Sequence, residues 1–239
     1  MVTCRSAAFE RVALRSFRRN TDVDHTLTIV DNSAGSRPLT AIWNGWARRA
    51  RAPHLCFANP DVVFGRAWAS RLLGALSRPD VVVAAPCTPS DAASPRQRMP
   101  GTLPRRLGAA WRRTAVHRGG GAAVAREGAA RLLEWYLDGR AAVTAVEVVD
   151  DPYSVGFCHC VRREWLHAAG YFDEATFPFY GGETDLNFRA FATGKRAVCV
   201  RGAIVYHHGG GSHDRDRTSD LHECFGRLKA RWPSWEHQS

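Results

Sequence analysis

The sequence predicts an α/β protein with a mostly parallel open sheet flanked by helices. Three observations carry this. Helical and strand-like patterns alternate along the first 87 residues. The run "DVVVAAPC" at 80–87 is almost wholly apolar, as in a strand covered on both faces. Clusters of small polar residues follow several strand-like runs, the position where ligands gather in open α/β sheets.

The elements follow in chain order. Residues 9–19 place Phe9, Val12, Ala13 and Phe17 on one helical face. "HTLTIVDNS" at 25–33 reads as a buried strand that ends where Asp31, Asn32 and Ser33 introduce a turn. A helix is expected within 38–51. A strand over 52–64 follows, broken at Asn59-Pro60-Asp61, then a helix that Pro79 ends. Residues 88–131 shift to Pro, Gly, Arg and Ala, the composition of a long functional or disordered loop. Within it Leu103, Leu107 and Trp111 recur at four-residue spacing beside arginines, so a short basic amphipathic helix is expected there. Strand-like residues 143–161, a helix at 163–170, an amphipathic helix opening near Glu183 and Asp185, a strand at 196–208 and a helical tail complete the chain.

The bulk properties bound the function. At 239 residues the chain suffices for one substantial domain. No apolar run is long enough for a transmembrane helix, and the first residues lack a secretory apolar core, so a cytoplasmic protein is expected. Seven cysteines at irregular spacings argue against a disulfide framework. Cys158 and Cys160, in "GFCHCVRR", alternate as on one strand face and read as buried structural thiols. The formal net charge is +10, and nine arginines between Arg96 and Arg131 face one acid, Glu127. A solvated basic face fits this, and so does a surface for DNA, anionic lipid or a phosphorylated carrier.

Three polar clusters fall at strand ends: Asp31-Asn32-Ser33, Asn59-Pro60-Asp61, and His207-His208 before a glycine run, with Glu183 and Asp185 between the last two. Together with "GYFDEATFPFYGGETDLNFRAFATG" and "AIVYHHGGGS", the chain resembles a family-2 glycosyltransferase of the GT-A fold over most of residues 10–215. The resemblance implies a single domain over 1–239. Within it, 1–87 would form a Rossmann-like nucleotide-sugar-binding half and 88–135 a basic acceptor-region insert. Residues 136–215 would form the acceptor and catalytic half, and 216–239 a helical tail.

It further implies that Asp31 and Asn32 contact the nucleotide of a donor such as UDP-glucose, with Asn59, Asp61 and Gly210 near its diphosphate. Asp61 and His207, with His208 as the alternative, would hold Mn²⁺ or Mg²⁺. Glu183 would be the base that takes the acceptor's proton, and Asp185 would support it, by capping the helix or by orienting the acceptor and Arg189. The sequence departs from the family at Asn59 and Gly182, where acids are usual, so a member that keeps the fold without turnover also fits. Arg105, Arg106, Trp111, Arg112 and Arg113 would meet the acceptor. That acceptor would be a glycan or lipid carrier, or hydroxymethylated DNA bases gripped through phosphates. A non-catalytic carbohydrate- or nucleic-acid-binding module is the reading from another class.

Overall fold

The computed structural model describes residues 1–3, 7–34, 37–90, 93–99, 120–209 and 218–234. Its strands are β1 (Val2–Thr3), β2 (Val30–Asp31), β3 (His54–Ala58), β4 (Val62–Phe64), β5 (Val81–Cys87), β6 (Glu147–Asp150), β7 (Cys158–Arg162) and β8 (Arg196–His207). Its helices are α1 (Ala7–Asn20), α2 (Leu39–Ala47), α3 (Trp68–Leu76), α4 (Gly120–Val143), α5 (Arg163–Ala168), α6 (Gly182–Ala192) and α7 (Thr218–Arg231). The chain is therefore α/β, with helices packed on a multi-stranded sheet.

The expected parallel sheet is corrected to a mixed one. The strand order is β3-β7-β5-β8-β4, with β6 also on β8. Within this sheet, among the described residues, only β5 and β8 pair in parallel; β3·β7, β5·β7, β4·β8 and β6·β8 are antiparallel. An apolar run reports burial on both faces but carries no information about the direction of its neighbours, which the connections set. A separate two-stranded ladder pairs β1 with β2. Of the strand expected over 25–33, Val30–Asp31 is paired, with Val2 and Thr3 of β1.

Long β8 organises the layers. Val198, Val200, Ala203 and Val205 pack in one cluster with Ala13 and Phe17 of α1 and Trp68, Leu72 and Leu76 of α3. The intervening Cys199, Ile204 and Tyr206 pack with Leu133 and Leu137 of α4, and Ala197 with Trp43 of α2 and Leu186 of α6. This is the period-2 alternation of a strand covered on both sides.

Helix α4 is a second correction. Residues 120–131 were expected to be loop, and the expected insert boundary at 135/136 falls inside this 24-residue helix. Ala130, Leu133, Leu137 and Ala141 recur three and four apart and are fully buried. Arg15 of α1 holds α4 through the buried Glu134 and through Glu127. The Leu103/Leu107/Trp111 helix and Arg105, Arg106, Arg112 and Arg113 lie outside the described residues, as does Gly210. No helix among the described residues is long and apolar enough to cross a membrane.

One core residue works against the packing around it. His159 is 2% exposed, and its ring sits against Trp43, Phe57 and Phe172. Neither ring nitrogen closes a hydrogen bond. Burial pushes its pKa from 6.5 down to about 4, opposed only in part by Cys56 and the Gly156 carbonyl. Between those values the unfolded chain binds a proton that the folded chain refuses, so stability falls as pH falls through that window. At 1.36 kcal/mol per unit the loss approaches about 3 kcal/mol. His159→Phe is expected to lose measurably less stability than the parent between pH 7 and pH 4.5 in urea unfolding. Equal losses would assign the acid sensitivity elsewhere.

Candidate active site

The β4–β8 ladder builds the first part of the site. Val62 pairs with His207, and His208 donates its backbone N–H to the Asp61 carbonyl at 2.9 Å. This register sets Asp61, at the mouth of β4, beside the end of β8. His207 Nε2 stands 3.8 Å from Asp61 Oδ1, and both residues are buried. The His207 backbone N–H donates to Thr88 Oγ1 at 3.0 Å, which fixes the end of β8 against the end of β5. The His208 ring packs on Phe9 of α1 instead, 4.6 Å between centroids. The geometry therefore brings His207, rather than His208, to Asp61. A carboxylate oxygen and an imidazole nitrogen facing each other form a donor pair that suits a divalent ion such as Mn²⁺. Among the described residues no group of three His, Cys, Asp or Glu is arranged to hold a metal.

Two residues that sequence reasoning did not single out join the remaining pieces. The Asn59 N–H donates to the Phe157 carbonyl at 2.8 Å. The Phe157 ring stacks on His207 at 4.7 Å and 14°. The Gly156 N–H points at Glu183 Oε1, 3.4 Å away. Gly156–Phe157 thus touches the Asn59–Asp61 corner, the histidine and the candidate base at once. Both residues were visible in "YSVGFCHCV", but a glycine advertises no side-chain chemistry. The only available signal was a glycine just before a strand, the mark of a close backbone approach.

The loop leading into this junction is fixed on three sides. Buried Asp151 accepts from Ser94 Oγ at 2.6 Å and from the Tyr153 N–H at 3.1 Å. Gln97 Oε1 accepts the Val155 N–H at 2.7 Å. Asn187 of α6 donates to the Ser154 carbonyl and hydroxyl.

Glu183 and Asp185 divide sharply. Helix α6 begins at Gly182, with Gly181 at φ +79° as its N-cap and no side-chain cap. Asp185 lies inside the first turn, so the expectation that it caps the helix is corrected. It is fully buried and accepts from Arg189 Nε at 2.9 Å, Arg231 Nη1 at 3.2 Å and Trp232 Nε1 at 3.0 Å. Its carboxylate ties α6 to the tail helix. Among the described residues Glu183 has no cationic partner of this kind, and burial raises its pKa above the ordinary glutamate value.

The two glycines before Glu183 are packing residues. A Cβ on Gly181 would collide with Cys224 of α7, and one on Gly182 would stand 2.7 Å from Thr40 Cγ2 of α2. The acid expected before the base has no room, because α2 stands there. Helix α6 is also not amphipathic as expected. Thr184, Leu186, Asn187, Phe188 and Ala190 are all buried, since α2 and α7 flank it. Beside it, Pro178, Phe179, Tyr180, Glu223, Cys224 and Arg227 line a cleft of about 100 Å³. The Cys224 thiol there is pushed up to about 12, by burial first and then by the charge of Glu183.

Asp31 sits apart on the small ladder, exposed, where the Ser33 hydroxyl and N–H hold its pKa below the ordinary value. Asn32 is buried and donates to the Arg37 carbonyl at 3.0 Å. No family model matches the chain, and no curated protein matches it.

Two substitutions test this architecture. A Cβ on Gly156 would stand 2.5 Å from Glu183 Cγ, so Gly156→Ala must displace that side chain. A loss of about 1–3 kcal/mol is expected in chemical denaturation, as for other overpacked sites. Asp185→Ala removes the buried carboxylate shared by Arg189, Arg231 and the Trp232 indole N–H, and is expected to cost about 3 kcal/mol. Proteolysis of the tail should accelerate with it. A variant with an intact tail would show that Asp185 does not hold α7.

Proposed function

We propose that the chain is an inverting glycosyltransferase of GT-A type that moves a sugar from a nucleotide-sugar donor, such as a UDP-sugar, to an acceptor hydroxyl. The observation that supports this reading most is the meeting of Asn59–Asp61, His207 and Glu183 around Gly156–Phe157. The resemblance assigns these positions to donor and metal, to metal, and to base respectively. The mixed sheet with helices on both faces is compatible with it.

In this reading Asp61 and His207 are the side chains that would hold Mn²⁺ or Mg²⁺, with donor oxygens and water completing the shell. When bound, the ion supplies positive charge against the charge that develops on the departing diphosphate. Glu183 takes the proton of the acceptor hydroxyl. The acceptor oxygen bonds to the anomeric carbon as the bond to the diphosphate breaks, and the electron pair leaves with the nucleoside diphosphate. The raised pKa of Glu183 suits it to hold that proton. Asp185, saturated by three donors, positions the helix. Phe179, Tyr180 and Arg227, lining the cleft beside α6, offer aromatic and cationic surface to the acceptor. A glycan or lipid carrier fits this cleft. The net charge of +10 favours DNA as the alternative acceptor.

The test is release of nucleoside diphosphate from a panel of nucleotide sugars with Mn²⁺. Glu183→Gln is expected to lower it by at least about 100-fold while folded stability stays equal or rises, because a carboxylate of raised proton affinity is replaced by a neutral group of the same shape. In the parent, kcat/KM should climb with pH through a value above the ordinary 4.5 of glutamate, as the base loses its proton. No turnover and no thermal stabilisation by any donor would overturn the reading.

A further inference from the structure

Three thiols meet on one face of the β3–β7 ladder, next to the Asn59–Phe157 hydrogen bond. Cys56 stands directly across from Cys160, and Cys158 lies diagonally from it, across from Ala58. Cys56 is exposed, whereas Cys158 and Cys160 are buried. All three are free thiols, and Cys56 Sγ lies 3.9 Å from Cys158 Sγ. Among the described residues no group of three potential ligands is arranged for a metal, so the cluster is read for its redox chemistry.

We propose that Cys56 is a peroxide-sensitive thiol and that Cys160, rather than Cys158, closes a disulfide with it. The argument is backbone geometry. A disulfide needs Cα atoms roughly 4.4–6.8 Å apart. Residues directly opposed in an antiparallel ladder lie about 4.5–5.5 Å apart, whereas diagonal neighbours lie about 7–8 Å apart. Cys160 therefore meets the requirement without backbone movement, and Cys158 does not. Cys158 serves instead as a donor: the Cys158 thiol first, then the Cys160 thiol, hold the Cys56 thiol well below its ordinary pKa. Thiolate character and exposure coincide on Cys56, the combination that selects a site of oxidation.

The chemistry balances with a hydroperoxide as oxidant. The Cys56 sulfur attacks a peroxide oxygen; the S–O bond forms, the O–O bond breaks and, with hydrogen peroxide, water leaves. The Cys160 sulfur then attacks the Cys56 sulfenic acid. The S–S bond forms, the S–O bond breaks, and the Cys160 proton departs with the hydroxyl as a second water. Two thiols are oxidised by two electrons and one peroxide is reduced. The bond would staple β3 to β7 directly behind the Asn59–Phe157 hydrogen bond.

The experiment uses the full chain treated with hydrogen peroxide, alkylated in denaturant and mapped by peptide mass spectrometry. Fragmentation between Cys158 and Cys160 distinguishes the two partners. The expected result is a Cys56–Cys160 cross-link two mass units below the dithiol, reversed by dithiothreitol, retained in Cys158→Ser and lost in Cys160→Ser. A Cys56–Cys158 cross-link, any other pairing, a Cys56 sulfinic acid without a cross-link, or an unreacted Cys56 would each overturn the proposal. The parent protein alone decides among these outcomes, so a variant that fails to fold does not remove the test.

Discussion

The approach of the chain to Glu183 and His207 at Gly156–Phe157 is the constraint on which the site depends. Two consecutive residues there supply a backbone donor to Glu183, a backbone acceptor to Asn59 and a ring face to His207. None of these contacts is strong alone, since a net hydrogen bond contributes only about 1 kcal/mol. Their effect is geometric. The three site pieces come from β3–β4, from the end of β8 and from the start of α6, which are far apart in sequence. A single rigid connector converts three separate placements into one. Asp151, Gln97 and Asn187 supply that rigidity by satisfying the loop's polar groups from three directions.

Helix α6 shows how packing and chemistry share the same residues. Gly181 admits α7, and Gly182 admits Thr40 of α2, so the helix is wedged between two neighbours at its first turn. A helix wedged in this way is buried nearly all round, unlike a surface helix with one apolar stripe. Its first turn thereby enters a low-dielectric setting together with two carboxylates. Such groups survive burial only if they are paired, or if they shift toward the neutral form.

Much of the fold was legible because it is local. The break at Asn59-Pro60-Asp61, the helices at α2 and α3 and the long strand β8 all follow from turn residues and periodicity. Sheet direction was not legible, because the pattern of Val81–Cys87 is the same whichever way its neighbours run. Helix α4 escaped because the eye followed its Gly-Gly-Gly start and its arginines, while the Ala130, Leu133, Leu137 and Ala141 spacing lay beneath that composition. In the site, the meeting of Asp61 with His207 followed from their places at strand ends. Gly156 did not, since its role is carried by a backbone N–H and by the absence of a Cβ. Gly182 was legible only as a missing acid; the physical reason, Thr40 of α2 in that space, is tertiary.

The same burial that denied Gly182 a side chain separates the two acids that remain. Asp185 and Glu183 stand two residues apart in the first turn of one helix, near its positive end. Asp185 adds Arg189, Arg231 and the Trp232 N–H, and its charge is fully used in holding the tail helix. Glu183 adds only the Gly156 N–H at 3.4 Å, and desolvation outweighs both that contact and the helix terminus, leaving its proton affinity raised. Of the two, Glu183 carries the raised proton affinity, the property that suits a carboxylate to exchange a proton. Within this first turn the physical argument therefore favours Glu183 for the proposed base, independent of which residue type usually occupies that position.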